Sequence, residues 1–541
     1  MDDTATAPLL TSHNAKPAKP PSIDDMIETH IGDTGAAQLL RAVFVALAWA
    51  FDAQQVFISV FTDAAPGWHC VGLAGDSPCT AAAAAAAASP CALPPDTWAW
   101  DRPAETSVVS EWALQCAGPA LVSLPASSFF AGCLAGGFLL TTLADSHLGR
   151  KRTLLACLVS MSVAGALTAA APNVWAYAAL RFASGFARSV VGTCTLVLST
   201  ELVGRRWRDV VSVAAFLCYT AGFLSLPALA YALRGASWRS LYLWTSVSCL
   251  CYAALLHFLA QESPRWLLVR GRTEEAVATL RQIASLNGGG SAAAAATAAS
   301  FSTLELDYAC AAAASGGGVF ATLRMMWERP WAIRRLAAIM AAGFGVGMVY
   351  FGMPLGVGSL GGPTNLYLST TYNALAEVPS AALSWLLIAR AGRRASVAAL
   401  AAAAGACSLA AAVSRGARMA AELASFFATC TAYDLLLIYA VELFPTSVRN
   451  SAVGMVRQAM VLGGVAAPVL VALGRERGSF WSFGVFGIAI GSAGLFAACL
   501  PETRGKPMSD TMEEEEERNQ AAMASCTSTR AVAKINDRDL A

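Results

Sequence analysis

Six ionisable side chains lie where a chain tolerates them least. Asp52, Glu377, Asp434, Arg181, Arg188 and Arg457 all sit inside long apolar runs. Near the centre of a bilayer each costs at least roughly 2.5–3.5 kcal/mol, so each needs a partner or a task. The task these types suggest is recognition of a small charged molecule. A quaternary ammonium cannot donate a hydrogen bond and needs the field of a carboxylate and the faces of aromatic rings. Glu377, Asp434 and Asp52 could supply the charge, and Tyr350, Phe351 and Tyr433 the faces. A zwitterion would also need a cation for its own carboxylate, and Arg457 or Arg188 is available. The alternative is three buried ion pairs that only fix helix packing. At about 1.5 Å of rise per residue, Asp434 and Arg457 reach the same depth, roughly 12 Å from the inner face, and could pair across a hairpin. Glu377, Arg188 and Asp52 come out roughly 20 Å up, towards the outer half.

The elements that must position these residues are membrane helices. Of 541 residues, 56% are hydrophobic and only 13% charged, which excludes a soluble protein of this size. A formal net charge of +1 argues against a nucleic-acid partner. Spanning a bilayer takes roughly 20 apolar residues. Twelve segments meet that rule: 37–60, 118–143, 152–171, 173–199, 209–233, 239–259, 334–357, 366–389, 395–413, 418–441, 452–474 and 479–500. The fold class expected is an all-α membrane protein of twelve helices in two six-helix bundles. The division is a cytoplasmic N-terminal tail, 1–36; a first bundle, 37–259, containing an extracytoplasmic loop, 62–117; a central loop, 260–333; a second bundle, 334–500; and an acidic tail, 501–541. No cleavable signal is visible, so the first apolar segment should remain as an anchor. A short helix, 273–286, is expected in the central loop. Glu513 to Glu517 read as part of a solvated, disordered tail.

An internal repeat supports two bundles. Gly149-Arg150-Lys151 returns as Gly392-Arg393-Arg394, 243 residues on. Glu201-Leu202 returns as Glu442-Leu443, and Glu262 beside Pro264 as Glu502 beside Pro501. Tandem bundles of this kind belong mainly to solute transporters. Basic residues set the orientation. Arg150, Lys151, Arg152, Arg205, Arg206, Arg208, Arg390, Arg393, Arg394 and Arg449 fall in loops on one side, which reads as inside. Arg102, Arg234, Arg239, Arg415, Arg418, Arg475 and Arg477 fall on the other. That places Cys70, Cys79, Cys91 and Cys116 outside, as disulfide candidates in any of three pairings. Acids accompany the inner bases: Asp145 with Arg150 and Glu201 with Arg205, echoed by Glu442 with Arg449 and Arg393. Such pairs can lock one state of a rocking transporter, or merely fix topology.

The stretch Asp145-Ser-His-Leu-Gly149-Arg150-Lys151 resembles the signature loop of the major facilitator superfamily. Arg181-Phe-Ala-Ser-Gly185 resembles its fourth-helix pattern. The long cysteine-bearing outer loop, Glu262-Ser-Pro-Arg-Trp266-Leu and Glu442-Leu-Phe-Pro445-Thr-Ser-Val-Arg449-Asn450 are similar to the organic cation transporter family. The plant organic cation/carnitine branch fits best, since the outer loop holds no Asn-x-Ser/Thr sequon. Two departures stand out: Ser146 follows Asp145 where the superfamily usually has a base, and Gly149 comes one residue late. The resemblance implies a twelve-helix secondary transporter of organic cations or carnitine, not an enzyme, in the plasma or vacuolar membrane. Its expected partners are a small-molecule substrate, the lipid bilayer and a coupling proton or cation. A sugar or organic-anion porter and a non-transporting receptor are the alternatives. No phosphate-binding Gly-x-x-x-x-Gly-Lys-Ser/Thr loop and no His-Glu-x-x-His or paired Cys-x-x-Cys set occurs, so no cofactor and no metal are expected.

Overall fold

The computed structural model describes residues 34–71, 90–143, 148–286, 324–357, 366–414, 416–505, 509 and 511–518. Within them twelve long helices follow the twelve apolar segments. They are α1 Ala36–Thr62, α2 Pro119–Leu143, α3 Arg150–Thr168, α4 Val174–Glu201, α5 Arg208–Ala232, α6 Trp238–Leu259, α7 Pro330–Gly356, α8 Leu366–Arg390, α9 Arg393–Val413, α10 Arg418–Leu443, α11 Thr446–Arg477 and α12 Phe483–Ala498. Ten are long and apolar enough to cross a membrane. The other two are α12, with 16 residues, and α8, whose 25 residues include Glu377 and several serines and threonines. Helix α7 starts before the expected residue 334 because Pro330 takes its first position, where a missing N–H costs nothing. Arg334 and Arg335 mask that start in a hydropathy reading. Phe258, Trp385 and Leu495 stand more than 70% exposed, as side chains against lipid do.

Packing divides the helices into two sets. In the first, α1 lies on α5, α2 on α4, and α3 on α4 and α6; in the second, α7 lies on α11 and α12, α8 on α10, and α9 on α10 and α12. Two extensive contacts cross between the sets, α2 on α11 and α5 on α8. Adding six to each helix number, modulo twelve, exchanges these two contacts, so the seam between the halves has the two-fold character that the sequence repeat implies. Small residues permit the tightest crossings. A Cβ on Gly185 of α4 would strike the backbone at Phe129 of α2, and one on Gly132 of α2 would strike Phe182.

At the inner face the repeat becomes a pair of carboxylate clasps. Glu262 Oε1 accepts the backbone N–H of Lys151 at 3.0 Å and that of Ser263 at 3.1 Å. Its counterpart Glu502 accepts those of Arg393 at 2.8 Å, Arg394 at 3.2 Å, and Thr503 and Arg504 at 3.1 Å. Each clasp thus caps the first turn of a helix, α3 or α9, whose N–H groups would otherwise be unpaired. The glycines make room. Gly149 has φ +84°, and a Cβ there would come within 2.5 Å of the Glu262 carboxylate. Gly392 has φ −70°, so no left-handed turn requires it; its need is the same close approach, 2.5 Å, to Glu502.

The face opposite these clasps, called outer here, carries a two-stranded antiparallel ribbon, β1 Trp68–Cys70 and β2 Trp98–Trp100. A disulfide joins Cys91 to Cys116, and Cys70 is also disulfide-bonded. Cys79 lies outside the described residues. The acidic tail departs from expectation. Residues 512–518 are helical, and their glutamates meet arginines at the start of α7. Glu513 lies 2.5 Å from Arg329 and Glu515 2.7 Å from Arg335, and Glu516 also pairs with Arg329. Met512 is buried. The solvated-tail expectation fails because Arg329 and Arg335 offer a cationic patch that one glutamate run can neutralise.

Burial alone would raise the Glu502 carboxyl, but the N–H groups of Arg504, Arg393, Thr503 and Arg394 outweigh it and hold it below the ordinary 4.5. The charged clasp is therefore fully formed above that value and is lost as pH falls through the lowered pKa. Glu502→Gln should lower the melting temperature of the detergent-purified protein by roughly 2–4 °C at pH 7. The gap should close in acid, where wild-type Glu502 is itself neutral; a gap independent of pH would contradict the clasp.

Candidate substrate site

Helix α8 carries Glu377 to the seam where it meets α5. The carboxylate accepts a hydrogen bond from Tyr350 on α7 at 2.9 Å and one from Thr220 on α5 at 3.0 Å. The first partner belongs to its own half and the second to the other, so Glu377 ties the halves together. The residue is 8% exposed and has no cation among the described ion pairs. Aromatic rings surround it. Tyr350 lies 4.7 Å from Tyr433 and 5.1 Å from Phe351 between ring centres. Phe57 of α1 stacks on Phe223 of α5 at 3.9 Å and meets Tyr350 edge-on at 6.5 Å. Phe351 reaches across to Phe130 of α2 at 4.8 Å. A carboxylate in such a box is suited to a soft cation that cannot donate hydrogen bonds.

The other expected site residues divide. Asp52 and Arg188 face each other inside the first half, bidentate at 2.6 and 2.7 Å. Arg188 also donates to Cys133 Sγ at 3.7 Å. Each neutralises the other, so this pair matches the packing alternative. Arg181 is 1% exposed; it donates to Gln55 O and Ser59 Oγ at 3.2 Å and lies 4.1 Å over the Phe129 ring. Its partners all belong to the first half.

The Asp434–Arg457 pair expected from matching depth does not form. Asp434 accepts from Ser384 of α8 at 3.0 Å, whereas Arg457 donates to Thr193 of α4, across the seam, at 3.0 Å. Depth fixes height along a helix but not the direction in which a side chain leaves it. Both groups consequently keep their charge unpaired among the described residues.

The inner candidates also resolve. Glu442 pairs with Arg393 at 3.0 Å and accepts from Thr503 at 2.6 Å. It does not pair with Arg449, which donates to Phe444 O at 3.2 Å. Glu201 accepts a hydrogen bond from Ser263, with Arg150 and Arg208 as its neighbouring cations. Ser263 and Thr503 therefore play matching parts in the two halves. Asp145 and the Arg205 side chain lie outside the described residues.

Sequence reading missed Thr220, Phe57 and Phe223, which are ordinary residues in apolar runs. It also missed Glu422, 1% exposed and bonded by Asn373 at 3.0 Å. Glu422 had a signal: it is an acid one turn inside a membrane helix.

The profile of the family described as "Sugar (and other) transporter" matches residues 106–514. Organic cation/carnitine transporter 2 of Arabidopsis thaliana is 47% identical over 520 residues, which cover 94% of this chain and 96% of that protein. Organic cation/carnitine transporter 3 of the same plant is 47% identical over 520 residues, covering 95% and 97%. Organic anion transporter 3 of Sus scrofa is 29% identical over 516 residues, covering 90% and 92%. Among solved structures, the partially occluded inward-open xylose transporter XylE of E. coli superposes with a TM-score of 0.59 at 16% identity, covering 87% of this chain and 99% of that one. At that identity the likeness concerns the fold alone.

Two substitutions separate site from scaffold. Glu377→Gln should cut organic-cation uptake at least tenfold while surface expression stays within about twofold, since only a charge without a protein partner is lost. Unchanged uptake kinetics would remove Glu377 from the site. Asp52→Asn should instead cost about 3–5 kcal/mol by leaving Arg188 buried and alone, seen as loss of monodisperse protein on size exclusion. Replacing both partners with leucine should recover it. A well-folded but inactive Asp52→Asn protein would return this pair to the substrate site.

Proposed function

This chain belongs to the sugar (and other) transporter family and is a secondary transporter of the major facilitator superfamily, and we propose that it moves organic cations and carnitine. The supporting observation is the buried Glu377 carboxylate, bonded by Tyr350 and Thr220, boxed by aromatic rings and without a cation among the described residues. A substrate ammonium supplies the missing charge. Asp434 extends the negative field, and Arg457, which has no carboxylate partner among the described residues, is suited to a substrate's carboxylate. The two curated plant relatives bear names that agree with this chemistry.

Glu377 also links the substrate to the motion. Its bond to Thr220 spans α8 and α5, one of the two crossing contacts. A cation that draws the carboxylate towards itself competes with that bond, so occupancy weakens a tie between the halves. The halves then rock about the site, with the clasps at Glu262 and Glu502 keeping each inner corner rigid. A proton can neutralise the same carboxylate, so proton and cation compete for it. Net exchange of one for the other follows if both are released on alternate sides. The protein crosses its membrane many times in either case; the plasma and vacuolar membranes are the two locations we assign to this reading, and a fluorescent fusion separates them.

A second reading, an organic-anion porter, draws on Arg457 and on the pig relative. Flux into proteoliposomes separates the readings. Labelled carnitine and choline should enter, at rates that change between two external pH values, while hexose and a plain organic anion should not. Anion or hexose flux without cation flux would overturn the proposal, and binding without flux would make the protein a receptor.

A further inference from the structure

The outer face holds a chamber apart from Glu377. Its volume is about 590 Å³, within the range of small-molecule pockets. Its walls come from both halves and from the outer loop. Phe61 at the end of α1 stacks on Tyr367 at the start of α8, 5.7 Å between ring centres and 12° between planes. Tyr231 at the end of α5 meets Tyr367 edge-on at 5.6 Å. Arg102 of the outer loop donates to the Tyr367 hydroxyl at 3.1 Å, and the Arg234 guanidinium lies 4.6 Å over the Tyr231 ring. Asp101 also lines the chamber and is engaged by His69 at 2.7 Å.

Two features of this chamber lack a structural reason. Arg102 and Arg234 stand on the face that membrane topology keeps poor in cations. Neither has a carboxylate partner among the described residues, whereas Arg239 beside them is paired with Glu111. Two unneutralised guanidiniums at an aromatic wall form a receptor with two kinds of affinity. Guanidinium binds carboxylate strongly and directionally, and tyrosine and phenylalanine faces hold a quaternary ammonium.

We propose that this outer chamber is a capture site for organic ions that carry a carboxylate, above all zwitterions that join it to a quaternary ammonium. The carboxylate lies on Arg102 and Arg234, and the ammonium lies against the Tyr231, Phe61 and Tyr367 rings. Taking the ligand also changes the closure of the outer face. Arg102 is the loop's hydrogen bond to the second half, so a carboxylate that claims this guanidinium releases Tyr367. The Phe61–Tyr367 stack and the Tyr231–Tyr367 edge contact then remain across the seam. A plain cation has nothing to offer Arg102 and leaves the closure as it is. The chamber therefore discriminates for the carboxylate before the ion reaches the seam.

The site stands independently of the central one, so the test uses purified Glu377→Gln protein and equilibrium binding of labelled carnitine and labelled choline. Carnitine should still bind. Adding Arg102→Gln and Arg234→Gln should weaken it at least tenfold, while the same pair made with Glu377 intact should leave choline binding within twofold. The lysine pair, Arg102→Lys with Arg234→Lys, keeps the charge without the guanidinium fork and should fall between wild type and the glutamine pair, and because both arginines are exposed the melting temperature should not move. Loss of carnitine binding with Glu377→Gln alone would leave no separate outer site. Unchanged carnitine affinity in the glutamine pair, or an equal fall for choline, would overturn the proposal. Failure of carnitine flux in wild type with outer binding intact would instead overturn the central reading only.

Discussion

A carboxylate held at membrane depth without a cation is the constraint on which the rest of this structure turns. Glu377 keeps its place through two hydroxyl donors, Tyr350 and Thr220. Hydroxyls can solvate a carboxylate, but they cannot neutralise it. In low dielectric that difference is large, and it makes the site unstable as an isolated anion and receptive to whatever cation enters. Because one donor belongs to each half, the charge state of Glu377 is read directly by the seam. With Glu377 as the proposed substrate acid, recognition and movement become the same electrostatic event seen from two sides.

Elsewhere the protein spends its charges conventionally. Asp52 and Arg188 close on each other, Arg393 closes on Glu442, and Glu513, Glu515 and Glu516 close on Arg329 and Arg335. Glu262 and Glu502 close on helix N-termini. These arrangements satisfy the rule that buried ionic groups be paired or hydrogen-bonded. They give each half a fixed frame. Against that frame, Glu377, Asp434 and Arg457 of the second half stand out: among the described residues they have no ion-pair partner and lie at the seam or beside it, whereas Arg181 and Glu422, likewise without one, are hydrogen-bonded inside their own halves.

The fold was largely legible in the sequence because its two determinants are long-range patterns. Twelve apolar segments of spanning length, and a repeat near 240 residues, specify two bundles with little dependence on detail. Pairing was much less legible. Depth placed Asp434 level with Arg457, yet one turns to Ser384 and the other to Thr193, because the azimuth of a side chain depends on helix rotation that hydropathy does not encode. The repeat equates Gly392 with Gly149, yet Gly149 has φ +84° and Gly392 φ −70°, and what they share is the space each leaves for a glutamate. The tail looked solvated because its partners, Arg329 and Arg335, lie some 180 residues earlier in the chain. Thr220, Phe57 and Phe223 carry no local signal at all; only the crossing of α5 and α8 brings Thr220 to the acid.

The central claim is a place: the substrate's ammonium lies at the seam, beside Glu377. A structure of the purified protein bound to a labelled quaternary ammonium, with a heavy atom for its nitrogen, tests this most directly. The account predicts the cation within about 6 Å of the Tyr350 and Tyr433 ring centres, against the Glu377 carboxylate, with Asp52 and Arg188 still joined. A cation found between Asp52 and a displaced Arg188, with Glu377 still bonded to Thr220, would contradict it.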